Sequence, residues 1–150
     1  LVSQGHASLP LFAGTEEETT VGQLLETVAR SDESQAIERA LAQTRALLCR
    51  GLGIDERRFI EIPALFRDGV AVFPNCVNCL VVNRTVFVPD PRGPLVDGED
   101  VFAAPIRESL TQLGLTVHFI DIWEPYHVRR GEIHCGTNAV RRVGTRPWWT

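Results

Sequence analysis

The chain has 150 residues, enough for one ordinary domain with its own core. An apolar share of 44% and a charged share of 23% fit a soluble globular protein and exclude disordered and collagen-like classes. The net charge of −4, with no basic-aromatic stripe, argues against a specific nucleic-acid partner. No apolar run approaches the roughly 18 to 20 residues that cross a bilayer, and no basic-then-apolar leader opens the chain, so neither a membrane nor secretion is expected.

The chain starts at Leu1 and has no methionine, which reads as a fragment or a processed chain. Glu16, Glu17 and Glu18 open it, whereas Arg129, Arg130, Arg141, Arg142 and Arg146 crowd its end, and all 15 basic residues are arginine. Solvated arginines around a site explain that cluster better than a polyanion partner. The four cysteines, Cys49, Cys76, Cys79 and Cys135, form no evenly spaced framework, which points to a reducing cytoplasm.

From Thr20, the apolar residues Val21, Leu24, Leu25 and Val28 recur at helical spacing and predict a helix ending near Ser31. A second helix is expected from a cap at Ser31 or Asp32, with Ile37, Leu41, Thr44 and Leu48 on one face and Gly51 or Gly53 stopping it. Cys49 lies beside that face and reads as a small core residue. "RRFIEIP" alternates up to Pro63 and predicts a short strand. "GVAVFP" and "CLVVNRTVFVP" predict further strands, with Asn83-Arg84 as a two-residue hairpin turn. Asn83-Arg84-Thr85 matches a glycosylation sequon, discounted for a cytoplasmic chain. "DPRGPLVDGED" is a loop, "VFAAPIRESLTQLG" a helix with Pro105 in its first turn and Gly114 at its end, and "LTVHFID" a strand. The order defines a mixed α/β fold, not a simple doubly wound parallel sheet. The run strand, strand, helix, strand is a unit that a longer parent could repeat.

Three groups carry candidate chemistry. "CVNC", Cys76 to Cys79, runs into a strand and not a helix, so two core residues are favoured over a redox or zinc pair. His118, His127, His134 and Cys135, at separations of 9, 7 and 1, match no compact zinc pattern. His118 reads as a packed or rim residue, and His127 is open to either role. In "RRGEIHCGTNAVRR", Cys135 has Arg129 and Arg130 nearby in sequence and glycines on both sides, conditions that suit a partly exposed thiolate. His134 is no obvious base for it, because adjacent side chains in an extended segment diverge. By residue type alone Cys135 is nucleophile or structural residue, and both readings stay open.

"YHVRRGEIHCGTNAVRR" followed by a Trp pair resembles the catalytic-cysteine segment of the protein-arginine deiminases. "GHASLPLFAG", "GIDERRFIEIPALF", "FPNCVNCLVVN", "VPDPRGPLVDG" and "LGLTVHFID" match blocks of that family in order. The likeness covers essentially all of 1–150, which it places as a C-terminal fragment of the catalytic domain. It implies a pentein fold, a five-bladed α/β propeller of ββαβ-like units, of which this chain is the last part. It also implies calcium-dependent hydrolysis of peptidyl arginine to peptidyl citrulline and ammonia through a cysteine thiouronium, with Cys135 as nucleophile.

A cationic guanidinium calls for carboxylates to hold its nitrogens and a histidine to move protons. In the family these are two aspartates and a histidine upstream, the histidine and one aspartate in a His-x-Asp motif. No such motif occurs in this chain, and His6 lies in a block that follows the family's catalytic histidine. The resemblance assigns Arg129 to binding of the substrate peptide, through its backbone carbonyl, and places Arg130 at the site mouth. Asn75 and Asn78 are expected to brace the pocket wall. The implied calcium ligands lie upstream, so no metal residue is assigned here, and Asp97, Glu99 and Asp100 read as loop acids lacking an EF-hand pattern.

The expected partners are arginine-containing proteins or peptides and the upstream part of the same polypeptide, and a homodimer is an open assembly state. Two rival functions remain, a related enzyme acting on free arginine or agmatine and a non-catalytic binding module of the same fold.

Overall fold

A computed structural model of the chain describes residues 5–140; Arg141, Arg142, Arg146 and the expected Trp148-Trp149 pair lie outside them. Strand β1 (Pro10–Leu11) pairs antiparallel with β2 (Thr19–Thr20). Helix α1 (Val21–Leu24) follows directly and widens into a π turn over Leu25–Ala29. Its start is a reciprocal cap: the Thr20 hydroxyl accepts the Gln23 amide at 3.3 Å, and Gln23 Oε1 accepts the Thr20 amide at 3.2 Å. Val21, Leu24 and Val28 are buried, as the helical spacing predicts.

Helix α2 (Asp32–Leu52) begins at Ser31, whose hydroxyl accepts the Ser34 amide, and ends where Gly53 takes φ +64°. The Glu33 carboxylate accepts the Asp68 and Gly69 amides at 3.0 and 2.8 Å, tying α2 to the turn between β3 (Phe66–Arg67) and β4 (Val70–Ala71). The expected apolar face is present but is not core. No residue of α2 is buried among the described residues, and Leu41 and Leu52 are 61% and 67% exposed. Cys49 is half-buried beside that face, so the core role read for it is not met there.

The strand read in "RRFIEIP" is also corrected. Glu56–Arg58 forms a 3-10 turn nucleated by Asp55, whose carboxylate accepts the Arg57 amide and pairs with its guanidinium at 2.7 Å. The alternation reflects a chain lying on the domain, since Ile62 packs against the second core described below.

The hairpin β5 (Leu80–Val82) and β6 (Thr85–Pro89) forms as expected, in the register Val82 opposite Thr85, with Asn83 in the turn at φ +55°. Strands β7 (Leu95–Val96) and β8 (Glu99–Asp100) make a further small hairpin in the segment read as a loop. Helix α3 (Ala103–Gln112) carries Pro105 in its first turn and leads through Gly114, at φ +75°, to β9 (Thr116–Ile120). β9 runs parallel to β6, pairing Thr85 with Thr116 through Pro89 with Ile120. Strands β5, β6 and β9 with α3 between the last two therefore form one ββαβ unit. The architecture is mixed α/β with small antiparallel hairpins, and no closed propeller is present among the described residues.

Two apolar clusters hold this together. Leu11, Phe12, Val21, Leu24, Val28, Phe73 and Trp123 form the first, whereas Cys76, Val86, Val88 and Ile106 form the second, in the space between sheet and α3. Asp100 organises the entry to α3, its two oxygens accepting the Gly93, Phe102 and Ala103 amides at 2.6 to 2.9 Å.

Arg92 joins the first cluster to the end of the sheet. Its guanidinium lies over the Trp123 ring at 5.7 Å, donates to the Ala13 carbonyl at 3.3 Å, and pairs with Asp121 at 2.7 Å. That pairing holds the Asp121 carboxyl below its ordinary value. A depressed acid contributes stability above its unfolded value, near about pH 3.9, and loses it as pH falls through the folded one. Because Asp121 is more than half exposed, the contribution is small, below about 1 kcal/mol. Acid titration of unfolding should thus show a shallower loss below pH 4 for Asp121→Asn than for the native sequence; identical profiles would remove this pair from the acid response.

Candidate active site

After β9 the chain passes through Trp123 into two successive 3-10 turns, His127–Arg129 and His134–Gly136, which carry the residues singled out in the sequence. The first is wound tightly, with the Ile122 carbonyl accepting both the Tyr126 and His127 amides at 3.0 Å. The Tyr126 carbonyl accepts the Arg129 and Gly131 amides at 2.9 and 3.0 Å. Arg130 occupies the left-handed region at φ +64°, and this reversal turns the chain toward the second 3-10 turn.

Between the two turns lies Glu132, which is 7% exposed. Its Oε1 stands 3.1 Å from His127 Nδ1 and accepts the Asn75 amide at 3.1 Å. Two groups meeting on one carboxylate oxygen must both donate, so His127 carries its proton on Nδ1. The His127 ring is itself buried, 4.7 Å from the Trp123 ring. Glu132 Oε2 is buried and has no hydrogen-bond partner among the described residues.

Cys135 follows on the outer side and is exposed. Its amide donates to the Glu132 carbonyl at 3.1 Å. Its Sγ accepts Asn78 Nδ2 at 3.5 Å, and the His134 amide donates to the Asn78 carbonyl at 3.4 Å. Asn78 stands on a turn that Asn75 closes: the Asn75 side chain accepts the Val77 amide at 3.1 Å, and its carbonyl accepts the Asn78 amide at 2.9 Å. The two asparagines thus hold this turn together, and Asn78 also touches the sulfur. Gly136 is required by packing, because a Cβ there would overlap the Tyr126 ring.

The structure brings Cys135 together with Asn78 and, through backbone, with Glu132. It does not bring Arg129 to the sulfur by any hydrogen bond among the described residues; Arg129 lies exposed on the preceding turn. His134 diverges from Cys135 for a reason other than the one expected. The segment is a 3-10 turn and not extended, and successive side chains of such a turn splay by about 120°. His118 is exposed on β9 with its ring stacked on Phe87 at 5.5 Å. Residue pattern gave no sign of Glu132, since a carboxylate beside a glycine ordinarily faces water.

The four thiols differ in kind. Cys76 is buried, with its Sγ 3.3 Å from the Pro89 carbonyl, and burial pushes its pKa up to about 12. Burial also raises Cys79. Both belong to the core around β6, which removes the redox and zinc readings of that pair.

The residues present do not fit a calcium ion. Among the described residues no group of three His, Cys, Asp or Glu side chains is arranged to hold a metal, and the Asp100 oxygens are occupied by backbone amides.

The protein-arginine deiminase (PAD) family model matches residues 2–150, and the chain belongs to that family. It is 37% identical to the mouse protein-arginine deiminase type-4 over 99% of this chain and 24% of that relative. It is 34% identical to the human type-4 protein over 98% of this chain and 23% of the relative. With mouse protein-arginine deiminase type-1 the identity is 37% over 78% of this chain and 18% of the relative. The chain thus spans about a quarter of the length of the type-4 relatives it matches. Membership associates it with deiminase-type hydrolase chemistry, and the described residues do not assemble a complete active site.

A graded alkylation follows from the thiol environments. Limiting iodoacetamide at pH 8 followed by peptide mass mapping should label Cys135 and leave Cys76 unmodified; equal labelling would contradict the buried, undissociated state of Cys76.

Proposed function

We propose that this chain is the C-terminal, nucleophile-bearing part of a protein-arginine deiminase catalytic domain, within a five-bladed pentein propeller. The observation that carries the reading is the exposed Cys135 in "GEIHCGTN", its sulfur against Asn78, in a chain that belongs to the family. The bare apolar stripe of α2 supports the placement, because such a stripe is suited to a cover that the described residues do not provide. Calcium, on this reading, is held by residues outside the chain and organises the site there.

The Cys135 thiolate adds to the guanidinium carbon of a peptidyl arginine. A carbon–nitrogen bond breaks, and that nitrogen leaves as ammonia after taking a proton from a histidine supplied by the rest of the polypeptide. The remaining thiouronium then takes up water at the same carbon, one water proton returning to that histidine and the other leaving to ammonia, which departs as ammonium. The sulfur–carbon bond breaks, the thiolate returns, and the product side chain is the ureido group of citrulline. Asn78 donates to the sulfur and so helps fix where it stands. Arg129, whose carbonyl accepts no backbone bond among the described residues, offers that oxygen to an amide of the substrate peptide. A thiolate nucleophile requires a reducing compartment, which fits a cytoplasmic protein.

In the full-length polypeptide with calcium, an arginine peptide should yield citrulline and ammonia, and the peptide should outcompete free arginine. Cys135→Ser should lower turnover by about three orders of magnitude or more while leaving peptide binding intact. Residues 1–150 alone should give no turnover. Undiminished citrulline release from the Cys135→Ser protein would remove Cys135 from the mechanism.

A further inference from the structure

Burying a carboxylate is costly unless its charge is paired and its lone pairs are used. Glu132 is buried with His127 Nδ1 and the Asn75 amide both on one of its oxygens. The same residue supplies the carbonyl that receives the Cys135 amide. Its side chain therefore grips the turn that carries Asn78, and its main chain grips the turn that carries the sulfur. The contacts close a ring: Cys135 amide to Glu132 carbonyl, Glu132 carboxylate to Asn75 amide, Asn75 carbonyl to Asn78 amide, and Asn78 side chain to Cys135 sulfur. Within it, only the last contact involves the reactive atom, and it is the longest at 3.5 Å.

We propose that Glu132, held by His127, is a positioning residue that sets the register of the nucleophile turn on the Asn75–Cys79 turn and thereby the approach of Asn78 to the Cys135 sulfur. This rests on Cys135 being the nucleophile, and it assigns Glu132 no contact with substrate. His127 serves as the strut: packed at a tilt against Trp123, it fixes where the carboxylate can sit. The acceptor oxygen is the essential feature, so an amide in place of the carboxylate should retain most of the effect, whereas loss of the oxygen should release both turns.

The test uses the full-length polypeptide. Glu132→Ala should lower kcat by about 100-fold, the size of effect expected when a reacting group is displaced by about an ångström, with KM changed less than about threefold. Glu132→Gln should restore kcat to within about tenfold of the native value, a rescue that a need for negative charge alone would not give. The second readout is the iodoacetamide rate of Cys135, which does not depend on turnover. It should fall in Glu132→Ala and in Asn78→Ala, and the double variant should lose no more than the larger single loss, because both act through one contact.

An unchanged alkylation rate in Glu132→Ala overturns the proposal, as does full additivity in the double variant. Persistent turnover in Cys135→Ser would instead overturn the nucleophile assignment, while the alkylation cycle would still report on Glu132. Should Glu132→Ala fail to fold, the isosteric Glu132→Gln and the Asn78→Ala cycle built on it decide the matter: a Gln variant with less than one-hundredth of native kcat overturns the acceptor role.

Discussion

The Trp123 ring is the piece on which the remainder depends. It is almost wholly buried, packs on Phe12 at 5.1 Å and on His127 at 4.7 Å, and carries the Arg92 guanidinium on its face. Phe12 directly follows β1 and His127 belongs to the last turns, so one indole joins chain segments more than a hundred residues apart. Aromatic side chains suit this task because each buries a large apolar area while favouring defined tilted geometries. The position of the site turns is thus fixed from behind by packing and from within by the Glu132 carboxylate, with hydrogen bonds defining what the apolar contact leaves loose.

Elements with local signals were legible. Ser31, one of two cap candidates, and Gly53, one of two stops, mark the ends of α2 because capping is chemistry between neighbours in sequence, whereas the Thr20–Gln23 cap of α1 was not read. β5, β6, α3 and β9 were legible for the same reason, being long enough for pattern to speak. The strand read over 57–63 failed because alternation reports which side chains face a surface, not whether the backbone has a partner. The β7–β8 hairpin was hidden behind proline, glycine and aspartate, residues that mark turns and obscure two-residue strands.

At the site, Cys135 and Asn78 were visible as residues, but their meeting was not, since 57 positions separate them and no periodicity connects two turns. His127 was left open because sequence gives a histidine no partner; five residues on, Glu132 supplies it. Buried polar groups are the part of a fold that pattern reading misses most readily, because the same residue types are usually solvated. Membership of the family gave Cys135 its proposed chemistry. Geometry contributed what membership did not, the ring of contacts that presents the sulfur.

The long helix α2 has a different implication. Ser31 caps its start and Gly53 its end, yet Leu41 and Leu52 remain mostly exposed here. An isolated helix of this kind draws only marginal stability from propensity, and tertiary packing ordinarily supplies the remainder. A partner that covered that stripe would bind the folded helix and not the unfolded chain, so its affinity would add to the helix's conformational free energy. The order of residues 32–52 would then report on binding as well as on folding.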